Sequence, residues 1–204
     1  MKIVLVGASG TIGSAVAAEL RRRHDVISAG RTAGDLRVDI ADPVSIDQFF
    51  KDLGEFDALA CMAGAVHYAH LADFTPEQFE VGLRSKLMGQ VNLVLQGLNQ
   101  ISDGGSFTVT SGLTNDDPIV QGAASSLVNG GLEGFVKGAA IETRRGIRIN
   151  AVSPTLVEES LDAYGEFFPG VKPIPVRDVV LGYLKSIEGS QTGRVYRMGW
   201  SRDG

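Results

Sequence analysis

Cysteine is almost absent from this 204-residue chain: Cys61 stands alone, which excludes an intrachain disulfide and points to a reducing cytoplasm. Long apolar runs are missing too. No stretch approaches the roughly 20 residues of a membrane span, and the N-terminus reads as a strand, without the apolar core and cleavage site of a signal peptide. Positive charge is scarce: 19 Lys and Arg against 24 Asp and Glu leave a net charge of −5, which argues against nucleic acid or an anionic membrane as the main partner. His67 and His70 lie close together, but no third ligand is spaced to complete a metal site, so no metal is expected. Repeats, linkers and low-complexity tracts are likewise missing. Residues 1–204 therefore read as one domain with room for a sizeable core.

Glycine is what the chain has in excess, 26 residues, nearly twice the usual ~7%. Three of them follow the apolar strand 2–6 in Gly7-Ala8-Ser9-Gly10-Thr11-Ile12-Gly13, and an amphipathic helix carrying Val16, Ala17 and Leu20 comes next. Strand, glycine turn and helix together present backbone N–H groups to a phosphate. In that reading Gly7 turns the chain off the strand, Gly10 admits a pyrophosphate, and Gly13 lets the helix pack close to the sheet. Further strands are expected at 25–29, 36–39, 57–62, 106–110, 146–152 and 194–198. Helices alternate with them: one opens at Pro43, one starts at Thr75-Pro76 with Gln78 as capping-box partner, and a long small-residue helix covers about 120–142. This alternation predicts an α/β fold, a single Rossmann-like doubly wound domain of about seven parallel strands with helices on both faces. Ligands in such sheets bind beyond the C-terminal strand ends, which here carry Gly7 to Gly13, Arg31, Ala63-Gly64, Ser111-Gly112 and Ser153-Pro154.

These segments, in this order, resemble the short-chain dehydrogenase/reductase family along nearly the whole chain. Its glycine turn is similar to residues 7–13, its adenine-side Asp-Val or Asp-Ile pair to Asp39-Ile40, and its Asn-Asn-Ala-Gly segment to Cys61-Met62-Ala63-Gly64. Its later signatures are similar to Gly105-Ser106-Phe107-Thr108-Val109-Thr110-Ser111-Gly112, Arg148-Ile149-Asn150-Ala151-Val152-Ser153-Pro154-Thr155, and Thr192-Gly193 followed by Met198-Gly199. The resemblance implies a dinucleotide held by Gly7, Ser9, Gly10, Thr11, Ile12, Gly13, Arg31, Thr32, Asp39, Ile40, Ala63, Gly64 and Pro154. It also implies an oxidoreductase acting on a small carbonyl or alcohol. The family's catalytic positions are where this chain departs. Registered on Gly130-Gly131-Leu132-Glu133-Gly134-Phe135, the tyrosine position is Ser125 and the lysine position Asn129. The helix asparagine falls on Lys86, the serine on Ser111 or Gly112, and the threonine after the proline on Glu159.

Carbonyl reduction needs a proton as the alkoxide develops. A phenol with a pKa near ~10 can supply it once an ammonium lowers that value; an aliphatic hydroxyl such as Ser125 cannot, and neutral Asn129 supplies no field. Lys86 and Tyr68 are the candidates to stand in, and Tyr164, His67 and His70 also lie in segments flanking the cleft. The catalytic set is thus Ser111, Lys86, Tyr68, Ser125 and Asn129, against the alternative of a catalytically silent cofactor-binding sensor or partner-binding protein. Because the second strand ends in Gly30-Arg31-Thr32 with no carboxylate until Asp35, a 2′-phosphate fits better than a free 2′-hydroxyl, so NADP(H) is expected over NAD(H). Small residues at Gly122, Gly130, Gly131, Gly134 and Gly138 weaken a helix by about 1 kcal/mol each. They suit either close packing on the sheet or the family's helix-mediated homodimer or homotetramer. The stretch 155–176, with Pro169, Pro173 and Pro175, is brief for a lid and implies an open cleft or a small substrate.

Overall fold

A computed structural model describes residues 1–200. Seven strands form one parallel sheet: β1 (Lys2–Val6), β2 (Asp25–Gly30), β3 (Leu36–Arg37), β4 (Phe56–Cys61), β5 (Ile101–Thr110), β6 (Arg148–Pro154) and β7 (Val195–Met198). Their spatial order is β3-β2-β1-β4-β5-β6-β7. This is the doubly wound α/β fold expected from the alternating elements.

β1 lies between β2 and β4 and is covered on both faces, which is why it reads as an unbroken apolar run. Its side chains alternate between the two layers. Val4 and Val6 join a core with α2 (Pro43–Leu53), α4 (Gly89–Gly97) and α5 (Ala123–Ala140), in which Phe49, Phe50, Phe56 and Phe107 pack at ring distances of 5.0 to 6.0 Å. Ile3 and Leu5 face α1 (Thr11–Leu20) and α7 (Val176–Glu188), where Val16, Leu20, Val179 and Tyr183 are buried. Among the described residues no helix is long and apolar enough to cross a membrane.

Local chemistry sets the helix starts. Asp42 caps α2 by accepting from the Val44 N–H at 2.9 Å, with Pro43 in the first turn. Thr75 and Gln78 form the expected capping box at α3 (Pro76–Gly82). The segment beyond α3 is not one continuous α-helix: residues Leu83–Met88 form a π-helical turn before α4. The wide turn changes the angular phase, so Val81 is exposed while Val91 and Val94 are buried. α5 starts at Ala123 rather than near 120, because Gln121 takes a left-handed φ of 66° just before it. β5 starts earlier than expected, at Ile101, through an irregularity in its pairing with β4 that accommodates the polar 102–105 stretch.

β4 and β5 part at their C-terminal ends. Their paired register stops at Ala60 and Thr108, and the buried Gln90 side chain then bonds both the N–H (2.8 Å) and the carbonyl (3.1 Å) of Thr110. The divergence leaves room above the strand ends, where the loops carrying the candidate residues converge.

Candidate active site

Gly7 leaves β1 with φ 88°, and its N–H donates to Ala29 O at 2.8 Å, tying the glycine turn to the end of β2. Gly10 is the N-cap of α1 and supplies no side-chain cap, so the N–H groups of the helix's first turn are left open. A Cβ at Gly13 would overlap the Gly7 carbonyl oxygen and lie 2.8 Å from Ala8 Cα, so this crossing of turn and helix admits only glycine. At Gly10 a Cβ would meet nothing nearer than Gly7 O, 3.6 Å away. The protein's own packing therefore does not require glycine at position 10.

Beside the turn lies a cavity of about 170 Å³ lined by Ser9, Arg21, Ser28, Ala33 and Gly34. Asp35, the first carboxylate after β2, is turned onto Ser28, accepting from its hydroxyl (2.6 Å) and its N–H (2.9 Å). The Ser28 hydroxyl holds its pKa below the ordinary carboxylate value. Arg31 and Thr32 stand exposed just past β2, and Arg31 makes no ion pair among the described residues. Arg21, at the C-cap of α1, belongs to no motif; only the fold brings it to this cavity. Asp39 pins the turn into α2, its carboxylate accepting from the Ala41 N–H at 3.0 Å, and Ile40 is buried against Gly89 of α4.

A second cleft, of about 290 Å³, brings together Tyr68, Lys86, Ser111, Ser125, Asn129 and Pro154, with Ile12 of the glycine turn at one end. Its remaining wall includes Leu113, Thr155, Leu156, Tyr164 and Phe168. Lys86 projects from the π-helical turn, past Gly64, where a Cβ would sit 2.9 Å from the lysine stem. Its ammonium donates to the Ser111 carbonyl at 3.2 Å, and its two other N–H groups have no partner among the described residues. Burial pushes this ammonium down to about 8, and pushes the nearby Cys61 thiol up to about 12.

Ser111 and Gly112 are separated by their surroundings. The Ser111 hydroxyl donates to Glu133 Oε1 at 3.3 Å, and the other Glu133 oxygen accepts from Arg197 at 3.2 Å. A Cβ at Gly112, by contrast, would lie 3.1 Å from Asn129 Nδ2, so position 112 is the one that faces Asn129. Ser125 and Asn129 share a buried set with Thr114: Thr114 and Ser125 hydroxyls are 3.0 Å apart, and Asn129 Nδ2 donates to Thr114 at 2.8 Å. Asn129 Oδ1, Thr155 Oγ1 and Ser153 Oγ are buried without a partner among the described residues. Thr114 stands outside the motifs legible in the sequence, and no local signal marks it; Thr155 closes the Arg148–Thr155 run.

Other candidates lie elsewhere. Glu159 uses its carboxylate at the start of α7, accepting from the Val176 N–H at 2.9 and 3.1 Å. His67 packs edge-on against Phe74 at 5.7 Å, and His70 Nε2 contacts the Gln121 amide at 3.1 Å; neither lines the cleft. Among the described residues, no group of three His, Cys, Asp or Glu side chains is placed to hold a metal ion.

Residues 5–180 match a family model described as enoyl-(acyl carrier protein) reductase. The chain belongs to the short-chain dehydrogenase/reductase family. Versicolorin reductase 1 of Dothistroma septosporum is 28% identical over 197 residues, covering 83% of this chain and 75% of its own. The solved protein lin1944 from Listeria innocua is 47% identical, with a TM-score of 0.95 over 97% of this chain and 98% of its own. A small-chain dehydrogenase solved with NADPH is 27% identical, with a TM-score of 0.88 over 100% and 99% of the two chains. Membership fixes the frame: the glycine turn and the cleft lie at the same carboxyl edge of the sheet, joined by Ile12.

Proposed function

We propose that this chain is an NADP(H)-dependent oxidoreductase that reduces a small carbonyl compound, or oxidises the corresponding alcohol, with Lys86 as the proton donor. One observation carries the reading: a lysine with two N–H groups unpartnered among the described residues points into a cleft continuous with the glycine turn. The residues present fit a dinucleotide. The open first turn of α1 at Gly10 suits the pyrophosphate, and the orphaned Asn129 Oδ1 and Thr155 Oγ1 are polar atoms that lack a partner among the described residues. Arg21 supplies positive charge in the cavity beside Ser9, Arg31 stands exposed just past β2, and Asp35 is already committed to Ser28. The NADPH bound by a 27%-identical neighbour supports the same cofactor here.

When bound, a reduced nicotinamide supplies the hydride. Lys86 Nζ hydrogen-bonds the carbonyl oxygen, then transfers a proton to it as negative charge develops, and is left as a neutral amine. A pKa of about 8 suits that exchange near neutral pH. Tyr68, 43% exposed in the same cleft, passes a proton back from solvent. Ser125, Asn129 and Thr114 hold the opposite wall by their mutual hydrogen bonds and donate no proton in the step.

Arg31 is the proposed reader of the 2′-phosphate. Arg31→Ala should weaken NADPH binding by about ten- to a hundred-fold, the worth of a charge-assisted contact, and leave NADH nearly unchanged. Calorimetry with both cofactors decides this, and an unchanged preference would remove Arg31 from that role.

The protein is further proposed to assemble as a homodimer or homotetramer through α4 and α5. Gly131 is packed internally, since a Cβ there would meet Leu87 at 3.1 Å, whereas Gly134 and Gly138 would meet nothing within 4 Å. Leu95, Leu127 and Ile141 are exposed on the same two helices or their ends. Sedimentation should give at least a dimer mass at micromolar concentration; a monomer mass would contradict this assembly.

A further inference from the structure

A larger cavity, of about 660 Å³, adjoins the reaction cleft and has no part in the proton transfer at Lys86. Phe168 lines both spaces, so the two stand against one side chain. Ile119 and Val120 come from the loop before α5, Phe167 and Phe168 from the short lid after α6 (Leu161–Tyr164). Val120 is 72% exposed, which leaves apolar surface uncovered at the wall.

The charges on this apolar chamber are all of one sign. Asp117 and Glu166 stand in its walls, both exposed and with no side-chain hydrogen bond or ion pair among the described residues. Among the described residues no lysine, arginine or histidine lines it; Lys172 follows Val171 but lies outside the lining. Two uncompensated carboxylates bordering low-dielectric walls concentrate cations and repel anions.

We infer that this chamber holds the distal part of the substrate and selects an apolar carbonyl compound bearing a positive charge, such as a protonated amine. Carboxylates, phosphates and acyl groups on phosphorylated carriers are disfavoured. The inference rests on the reductase reading for what the ligand undergoes, but not for whether it binds.

The test uses three ligands that share one skeleton and differ only at the end: 4-phenylbutylammonium, 4-phenylbutanol and 4-phenylbutyrate. Each is titrated into the NADPH-saturated protein at low salt. The ammonium should bind roughly ten-fold or more tighter than the carboxylate, with the alcohol between them. Asp117→Asn with Glu166→Gln, two near-isosteric changes outside the core, should bring all three within about two-fold of one another. Phe167→Ala should weaken all three together, as loss of the shared apolar contact requires. Equal affinities, a reversed order, no measurable binding, or a selectivity that survives the double variant would each overturn the inference. Selective binding with no turnover of the matching amino ketone would instead count against the reductase reading alone.

Discussion

Replacing Lys86 with methionine lowers reductive turnover by about 10²- to 10⁴-fold, the usual worth of a positioned general acid, while NADPH affinity changes little. The same residue sets the pH profile. Carbonyl reduction needs the ammonium form, so turnover falls as pH rises through about 8, and the methionine variant's residual rate loses that limb. Stability moves the other way. The unfolded chain keeps this proton to about 10.5 and the folded chain only to about 8, so unfolding takes up a proton between those values. Stability therefore climbs with pH from about 8 to about 10.5, and below about 8 the full cost of burying the charge is present. Methionine removes that cost and should stabilise the protein at pH 7 by about 1–3 kcal/mol. A variant that is more stable and nearly inactive marks a group kept for function. Retained turnover would transfer the proton-donor role elsewhere, and Tyr68→Phe is the next variant to measure.

Gly13→Val should abolish stable folding or cost more than about 4 kcal/mol, because the branched side chain must occupy the space of the Gly7 carbonyl and Ala8. Gly10→Ala provides the contrast. Its Cβ meets only Gly7 O at an ordinary 3.6 Å, so urea unfolding should be close to wild type. That methyl would stand at the uncapped start of α1, where the pyrophosphate is proposed to approach, and NADPH affinity should drop by about ten-fold or more. Denaturation and calorimetry on the pair separate the packing role of one glycine from the binding role of the other. A Gly10→Ala protein that binds as tightly as wild type would mean that the pyrophosphate does not approach there.

The sheet and its glycine turn were legible because local signals and burial agree. β1 is apolar at every position from Ile3 to Val6 because both faces are covered, and the Thr75–Gln78 capping box marks a helix start by short-range bonds alone. Ser111 was marked by its strand end and Tyr68 by its cleft-flanking segment, whereas Lys86, Ser125 and Asn129 were marked only by the family resemblance; all five line one cleft. The π-helical turn that aims Lys86 was not legible, since the apolar spacing of Leu87, Val91 and Val94 runs on through its end without a break. Nor was the fate of Glu159, whose partner is a backbone N–H seventeen positions away at Val176. Ser111 and Gly112 were separated only by tertiary partners, Glu133 for one and Asn129 for the other. Side chains whose roles depend on distant partners leave no periodicity to read.

The most direct test of the account is a calorimetric titration of the purified protein with NADPH and, in parallel, NADH. Micromolar binding of NADPH with NADH at least about ten-fold weaker is the expected result, given an open α1 N-terminus and an arginine in place of the ribose carboxylate. Absence of heat with either cofactor, or tighter binding of NADH, would contradict it.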